Sequence, residues 1–360
     1  MKVLIAAGGT GGHIYPGIAV AKEIVGRDAA SKVLFVGTAR GLETKIVPDN
    51  GFELSLINSA GLKNVGFLGK LKGLLILPKS FLEARRLIKD FQPEVVVGAG
   101  GYVSGPVLLM ASLMHKPTLV MDSNALPGFT NRRLAPFVTK AALTFDEAVR
   151  FFGKKGVVTG NPVRKEFFDI QPKARDNNKF SLLVFGGSQG ARAINSAVVE
   201  SLKHLQAFKN RLQITHQTGE TDFETVEKGY AENDWKNADV RRYISDMVSE
   251  FAETDLIICR AGATTCAEVA AAGKAAMMIP LPTAADDHQR KNAEALVAKG
   301  AARMILQKDL SGESLAREII GLIEKPEKIT EMETSAKKLA KADAAEVTVD
   351  LIESLAKGKS

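Results

Sequence analysis

The sequence predicts an α/β protein made of two doubly wound parallel-sheet domains in tandem, with a ligand in the cleft between them. Three observations predict it. Short unbroken apolar runs read as strands covered on both faces. These runs alternate along the whole chain with segments of helical spacing, as parallel sheets require. At four points a run ends in a glycine-rich turn, and the four turns form two matched pairs. Residues 3–7 enter Gly8-Gly9-Thr10-Gly11-Gly12-His13, and 95–97 enter Gly98-Ala99-Gly100-Gly101. Residues 182–185 enter Gly186-Gly187-Ser188-Gln189-Gly190, and 256–259 enter Arg260-Ala261-Gly262-Ala263-Thr264-Thr265. Such turns let backbone N–H groups crowd an anion at the next helix's start. The pattern begins at residue 3 and again near residue 182, so each half reads as a nucleotide-binding type of domain.

In the first half, apolar runs place strands at 2–7, 32–37, 53–57, 94–98, 117–121, 141–144 and 156–159. Helical spacing places helices at 15–26, 42–49, 80–90, 104–113 and 146–152. Asn161-Pro162-Val163-Arg164 follows the last strand, where proline resists continued regular structure. The hinge falls there, giving a first domain of 1–162 and a second of 163–340. The second half repeats the alternation, with strands at 180–185, 211–216, 239–243, 255–259, 275–279 and 303–306. Its helices are expected at 190–203, 221–230, 246–252, 264–272, 288–299 and 312–323. Residues 334–357 carry Leu339, Val347, Leu351, Ile352 and Leu355 at near-helical spacing. They read as one terminal helix whose last part, 341–357, returns to the first domain.

The chain has 360 residues, room for two full cores, and its 45% hydrophobic and 25% charged residues are ordinary for a soluble protein. No apolar stretch approaches the ~20 residues of a membrane helix. Lys2 followed by the apolar residues 3–7 is too short for a signal peptide and reads as a first strand, so a cytoplasmic location is expected. The two cysteines, Cys259 and Cys266, make no disulfide framework and read as packing residues. A net charge of +7 favours an anionic partner. No recognition helix, zinc finger or RNA-binding aromatic motif is present, so no nucleic acid is expected. Anionic lipid or a diphosphate-bearing substrate accounts for the charge equally well.

A dinucleotide dehydrogenase is the first rival. Counted from Gly9, the fingerprint reaches Ile14 where its third glycine belongs, and the second strand ends in Phe35-Val36-Gly37-Thr38 without the ribose-binding acid. Both failures count against NAD.

Six stretches stand in a telling order: Gly8 to His13; Gly98-Ala99-Gly100-Gly101-Tyr102-Val103-Ser104-Gly105-Pro106; Gly160-Asn161-Pro162-Val163-Arg164; Gly186-Gly187-Ser188-Gln189-Gly190-Ala191; Arg260 through Glu268; and Asp287-His288-Gln289. Any one is a common kind of turn. Together they resemble the GT-B glycosyltransferases, two Rossmann-like domains whose parallel sheets face a central cleft. Within them they resemble the bacterial transferases that carry N-acetylglucosamine from UDP onto the lipid-linked muramyl-pentapeptide of peptidoglycan synthesis. The likeness covers nearly the whole chain. It departs at Met121-Asp122-Ser123, where the family commonly has His-Glu-Gln before Asn124, so the roles of those residues are not carried over; Asn124, Gly128 and Asn131 still fit.

The resemblance implies an inverting, metal-independent transfer from UDP-GlcNAc to the C4 hydroxyl of undecaprenyl-diphospho-N-acetylmuramyl-pentapeptide. Imidazole is a suitable base near neutral pH, and the resemblance makes His13 that base or the group that orients the acceptor or its diphosphate. Its plainer reading is a histidine packed at a helix start. Thr10, Gly11 and Gly12 would lie beside the donor sugar, and Gly100, Gly101, Tyr102, Ser104 and Gly105 would flank the acceptor's diphosphate. Ser188 opens a helix in this reading and would hold the donor's diphosphate, a role distinct from a mere N-cap; Arg164 would add positive charge. Ala263, Thr264, Thr265, Cys266, Ala267 and Glu268 would bind the nucleotide. A carboxylate suits vicinal ribose hydroxyls, which gives Glu268 its part. Ile244 would offer its backbone to the uracil, and Asn124 and Gln289 their amides to the sugar. No Asp-x-Asp pair appears, and Asp286-Asp287 would diverge on a helix, so no protein-bound metal or other cofactor is expected.

A lipid-linked acceptor implies a peripheral place on the cytoplasmic face of the plasma membrane. Phe67, Leu68, Leu71, Leu74, Leu75, Ile76, Leu77 and Phe81 interleave with Lys70, Lys72 and Lys79, a patch suited to an anionic membrane surface or, equally, to packing on the first sheet. Three rivals stay open: a GT-B transferase using UDP-GlcNAc with another lipid or sugar acceptor, a UDP-GlcNAc 2-epimerase, and a non-catalytic nucleotide-sugar sensor.

Overall fold

Apolar residues, mainly Val, Leu, Ile and Ala, make most of the strands at the middle of each sheet, because a strand covered on both faces needs apolar side chains in both directions. The structure, a computed structural model, describes residues 1–9, 11–39, 41–59, 67–174 and 179–358, of which 67–76 as backbone alone. The chain divides into two compact units: Met1–Val163 with Lys341–Ser360, and Arg164–Ala340.

The first unit runs β1 (Lys2–Ala7), α1 (Gly11–Arg27), β2 (Lys32–Gly37), α2 (Glu43–Asp49), β3 (Glu53–Leu56), α3 (Phe67–Phe91), β4 (Val95–Gly100), α4 (Ser104–Leu113), β5 (Thr118–Asp122), α5 (Phe129–Leu134), β6 (Lys140–Leu143) and β7 (Gly156–Val158). Among the described residues its strands form one parallel sheet in the order β3-β2-β1-β4-β5-β6-β7. The period of two along β1 divides its residues between two cores. Val3, Ile5 and Ala7 meet Ile14 and Ile18 of α1, whereas Leu4 and Ala6 meet Val107 and Leu108 of α4.

The second unit runs β8 (Phe180–Phe185), α6 (Arg192–Ser201), β9 (Leu212–Gln217), α7 (Phe223–Glu232), β10 (Asp239–Arg241), α8 (Met247–Glu253), β11 (Leu256–Cys259), α9 (Ala263–Ala272), β12 (Ala276–Met278), α10 (His288–Ala298), β13 (Ala302–Met304), α11 (Gly312–Ile323) and α12 (Pro326–Lys338). Its parallel sheet has the order β10-β9-β8-β11-β12-β13. Asp246 caps α8 by accepting from the Ser249 N–H at 3.2 Å, and Ser311 and Ser314 form a capping box on α11. The chain then returns to the first unit as α13 (Ala344–Ala356).

The terminal region differs from the single helix expected at 334–357. Residues 339–343 are not helical. Before them, Ile329, Met332 and Ala336 bury in the second unit; after them, Val349, Ile352 and Leu355 bury against α1 and β1 in the first. Arg27 fixes α13 to α1, donating to Asp350 at 2.6 Å and to the Glu346 carbonyl at 3.0 Å. Other differences are smaller. The helix expected at 80–90 is the C-terminal part of α3, the expected helix at 146–152 is a 3-10 turn, and α5 has no counterpart in the expectation.

In each sheet the strand order reverses direction at one pair, β1 with β4 and β8 with β11. The four glycine turns follow these four strands. Ligands of open parallel sheets bind at such reversal points, outside the strands' carboxyl ends.

Candidate active site

A buried carboxylate holds the first turn. Glu43 opens α2 and is 0% exposed. Its Oε2 accepts from the Gly9 N–H at 2.9 Å, and its Oε1 accepts from the Thr38 N–H at 2.8 Å and the Thr38 hydroxyl at 2.9 Å. A Cβ on Gly8, Gly37 or Gly41 would run into this side chain, so three glycines make its pocket. The helix α1 starts at Gly11, which leaves the Gly11 and Gly12 N–H groups without intrahelical acceptors. His13 sits in that first turn with Nδ1 at 3.3 Å from the Gly8 carbonyl. A carbonyl only accepts, so Nδ1 is the donor in this bond. Thr10 lies outside the described residues.

The turn after β4 lies against this one. Gly100 and Gly101 have φ of +123° and +81°, where glycine is favoured. A Cβ on Gly100 would overlap the His13 ring, and one on Gly101 the Gly8 backbone. Tyr102 is exposed, and Gly105 lets α4 approach Thr130 of α5. Ser104, expected on a phosphate, is instead consumed within the protein. Its buried hydroxyl accepts from the Gly100 N–H at 3.0 Å and lies within donating distance of the Ala6 and Gly100 carbonyls, at 2.9 and 2.8 Å. The reason is the shift of the β1–β4 register between Ala6 and Ala7, which the hydroxyl bridges.

Asp122, where the family pattern departs, organises the next loop. Oδ1 accepts from the Asn124 N–H at 3.0 Å, and Oδ2 accepts from the Gly128 N–H at 2.9 Å and the Asn131 amide at 2.8 Å. Burial raises its carboxyl, and these bonds pull the other way. Ser123 donates to Asn161 at 2.9 Å. Asn124 is thus set by Asp122 within the first unit.

In the second unit Ser188 does not open a helix. α6 begins at Arg192, and Ser188 is exposed within the preceding turn. The turn is longer because a Cβ on Gly190 would overlap the Thr218 carbonyl: the chain must first pass against the end of β9. Gln217 there clamps two loops, donating to the Gly187 carbonyl at 2.9 Å and accepting from the Ile244 N–H at 2.7 Å. Of the Ile244 backbone expected at the base, the N–H is therefore already bonded, which leaves the carbonyl to present.

A cavity of about 490 Å³ opens beside this turn, lined by Gly186, Gly187, Gly190, Arg260, Thr265, Gln289 and Gln307 among others. Ser188, Ile244 and Glu268 are not among its lining residues. Arg260 is a fixed cation in its wall, donating to the Ile279 carbonyl at 3.0 Å and to Gln307 at 2.8 Å, and burial lowers its pKa from the usual value. Gln289 accepts from the Leu281 N–H at 3.0 Å through its oxygen, leaving the amide NH2 to donate. Ala263, Thr264 and Thr265 form the first turn of α9 and point N–H groups outward. Cys266 is buried with Sγ at 3.9 Å from the Met278 sulfur, its thiol pushed up to about 12, so it and Ala267 bring backbone rather than reactive groups. Glu268 stands on the next turn. Burial pushes its carboxyl up to about 7, offset in part by Arg164, which stacks on Phe167 at 4.8 Å.

Asp286 and Asp287 do not diverge on a helix as expected. Both lie in the turn before α10 with φ of +56°, a left-handed backbone of the kind that clusters at functional sites. Among the described residues no three His, Cys, Asp or Glu side chains gather as metal ligands. The membrane patch is only partly placed: side chains 67–76 lie outside the described residues, while Lys79, Arg85 and Arg86 are exposed and Ser80, Ala84 and Ile88 are buried. Among the described residues no helix is long and apolar enough to cross a membrane.

The structure thus gathers Gly9, Gly11, Gly12, His13, Gly100 and Gly101 in one unit, and Thr265 and Gln289 with the 186–190 turn in the other. Glu43, Gln217 and Arg260 are functional candidates that residue-by-residue reading passes over.

Comparison with known proteins follows the same division. Residues 3–143 match the glycosyltransferase family 28 N-terminal domain, and 181–348 match the glycosyltransferase family 28 C-terminal domain. A protein of Anaeromyxobacter sp. (strain K), named UDP-N-acetylglucosamine--N-acetylmuramyl-(pentapeptide) pyrophosphoryl-undecaprenol N-acetylglucosamine transferase, is 48% identical over 98% of this chain and 92% of its own length. One of Geotalea uraniireducens (strain Rf4) with the same name is 47% identical over 97% of each chain. The crystal structure of Acinetobacter baumannii MurG superposes with a TM-score of 0.81 at 33% identity, covering 98% of this chain and 99% of that one.

Proposed function

The chain belongs to glycosyltransferase family 28, and we propose from its site geometry how it transfers N-acetylglucosamine from UDP to N-acetylmuramyl-(pentapeptide) pyrophosphoryl-undecaprenol. The enzyme is a hexosyltransferase of the GT-B fold, two parallel-sheet α/β domains.

The observation that carries the chemistry is the His13 ring, its Nδ1 committed to the Gly8 carbonyl at 3.3 Å. Nε2 is then the basic atom. In our reading it takes the proton of the acceptor's C4 hydroxyl as that oxygen attacks the anomeric carbon of the sugar. The bond from that carbon to the UDP oxygen breaks on the opposite face, so the configuration inverts. Negative charge builds on the departing diphosphate, and preorganised dipoles aimed at such charge are a strong source of rate. The 186–190 turn with Ser188, the start of α9 at 263–265, Arg164 and Arg260 supply them. Glu268 accepts the ribose hydroxyls, the Ile244 carbonyl faces the base, and Asn124, Gln289, Gly11 and Gly12 hold the sugar. Gly100, Gly101 and the 102–105 segment address the acceptor's diphosphate with backbone groups. These roles need no protein-bound metal. The lipid tail of the acceptor places the enzyme at the cytoplasmic membrane surface.

The test is turnover of labelled UDP-GlcNAc with either a muramyl-diphospho-lipid or a simple sugar lipid, in EDTA. Product with the muramyl lipid alone, lost in His13→Ala while UDP binding persists, is the expected result. A strict metal requirement, or a His13→Ala enzyme as active as the wild type, refutes the scheme.

A further inference from the structure

The Gly8 carbonyl that faces His13 and the Gly9 N–H that faces Glu43 belong to one and the same peptide group. We propose that Glu43 is a positioning residue for the base, acting on the His13 imidazole through this single peptide; the inference rests on the reading of His13 as the base.

The geometry is a relay of two hydrogen bonds. Glu43 Oε2 accepts from the peptide N–H at 2.9 Å, and the peptide oxygen stands 3.3 Å from His13 Nδ1. A peptide polarised at its N–H by a negative charge accepts more strongly at its oxygen, because hydrogen bonds in a chain reinforce one another. The arrangement does for His13 what a directly bonded carboxylate does in hydrolytic triads: it fixes the tautomer and favours the imidazolium that forms. When Nε2 gains the acceptor's proton, Nδ1 keeps its own, and the positive ring lies one peptide away from a buried negative charge.

Three further facts fit this role better than simple loop packing. Glu43 is fully buried, yet no cation pairs with it among the bonds the structure gives; its partners are neutral donors, Gly9 and Thr38. Such a charge is costly to bury, and an apolar side chain would fill the space without that cost. Gly8, Gly37 and Gly41 all leave room for it. Gly100 then closes the other side of the ring, its missing Cβ admitting the His13 imidazole. The ring is thus fixed by shape on one side and by the relay on the other.

The relay is read by nitrogen NMR of ring-labelled histidine. The chain has five histidines, and His13→Gln identifies the signal by its loss. Neutral His13 is expected with its proton on Nδ1 in the wild type, and Glu43→Gln is expected to lose that preference. The same variant should lower kcat about tenfold, the scale of one charge-assisted hydrogen bond, with the KM for UDP-GlcNAc within about twofold. A wild-type ring protonated on Nε2 overturns the proposal whether or not the variant folds. So does a Glu43→Gln enzyme with the wild-type tautomer and kcat. If these failures occur while His13→Gln still abolishes turnover, Glu43 is removed and the base remains; turnover that survives His13→Gln removes both.

Discussion

Replacing Glu268 by glutamine tests the nucleotide site through its dependence on pH. Burial pushes this carboxyl up to about 7 in the folded protein, from an ordinary value of 4.5. In the free enzyme it is therefore about one-tenth ionised at a pH of about 6 and about nine-tenths ionised at about 8. Ribose hydroxyls donate, so the ionised form is the better acceptor, and apparent affinity scales with the competent fraction. UDP-GlcNAc should then bind about tenfold more tightly at the higher pH. Its diphosphate is a diester that stays ionised throughout, so the ligand adds no titration of its own. Titration calorimetry without acceptor measures the effect. Glu268→Gln should bind more weakly at the higher pH and show no slope. Arg164→Ala should move the midpoint upward, since Arg164 opposes the shift. Stability of the free protein runs the other way: the raised carboxyl makes it lose stability as pH rises from 4.5 to about 7. A flat wild-type affinity, or an equal slope in Glu268→Gln, refutes the assignment.

Gly100→Ala puts a Cβ at φ +123° into the His13 ring; it should cost about 1–3 kcal/mol and lower kcat at least about tenfold, with UDP-GlcNAc binding intact by calorimetry. His216 is bonded to Tyr230 and Asn195 at 3.1 Å each, and burial lowers its pKa from 6.5 to about 3. It stays neutral in the folded state while the unfolded chain takes up a proton, so stability is lost as pH falls from 6.5 towards 3, by up to about 1.4 kcal/mol per pH unit. Urea unfolding of His216→Gln should show a slope smaller by this proton. Glutamates at Lys70, Lys72 and Lys79 should weaken binding to anionic vesicles and spare UDP binding; unchanged vesicle sedimentation takes this segment out of the account.

Strands and glycine turns were legible because their patterns are local: residues 3–7 and 95–97 can only be covered on both faces, and glycine marks where backbones crowd. Helix starts were less so. Ser188 looks like a cap because a hydroxyl after a glycine pair is a usual start, and only the contact of Gly190 with β9 delays α6 to Arg192. Buried polar clamps have no periodic signature. Glu43 stands at the beginning of a helix, where glutamate is ordinary on dipole grounds, and Gln217 looks like the polar end of a strand. Their roles come from partners 34 and 27 residues away, Gly9 and Ile244. The break at 339–343 was hidden for the opposite reason: the apolar spacing continues through it, and what changes is the core each side serves.

That return of α13 has a bearing on biosynthesis. Val349, Ile352 and Leu355 complete a core begun by Val3 and Ile5. On the ribosome the amino-terminal half, though translated first, cannot finish until residues 344–356 have emerged, whereas the half between has every one of its own strands sooner. The usual vectorial order, in which earlier segments settle before later ones, is inverted here. Nascent chains halted near residue 340 leave the part of α1 that packs on α13 without its cover, a greasy stripe for a chaperone to guard.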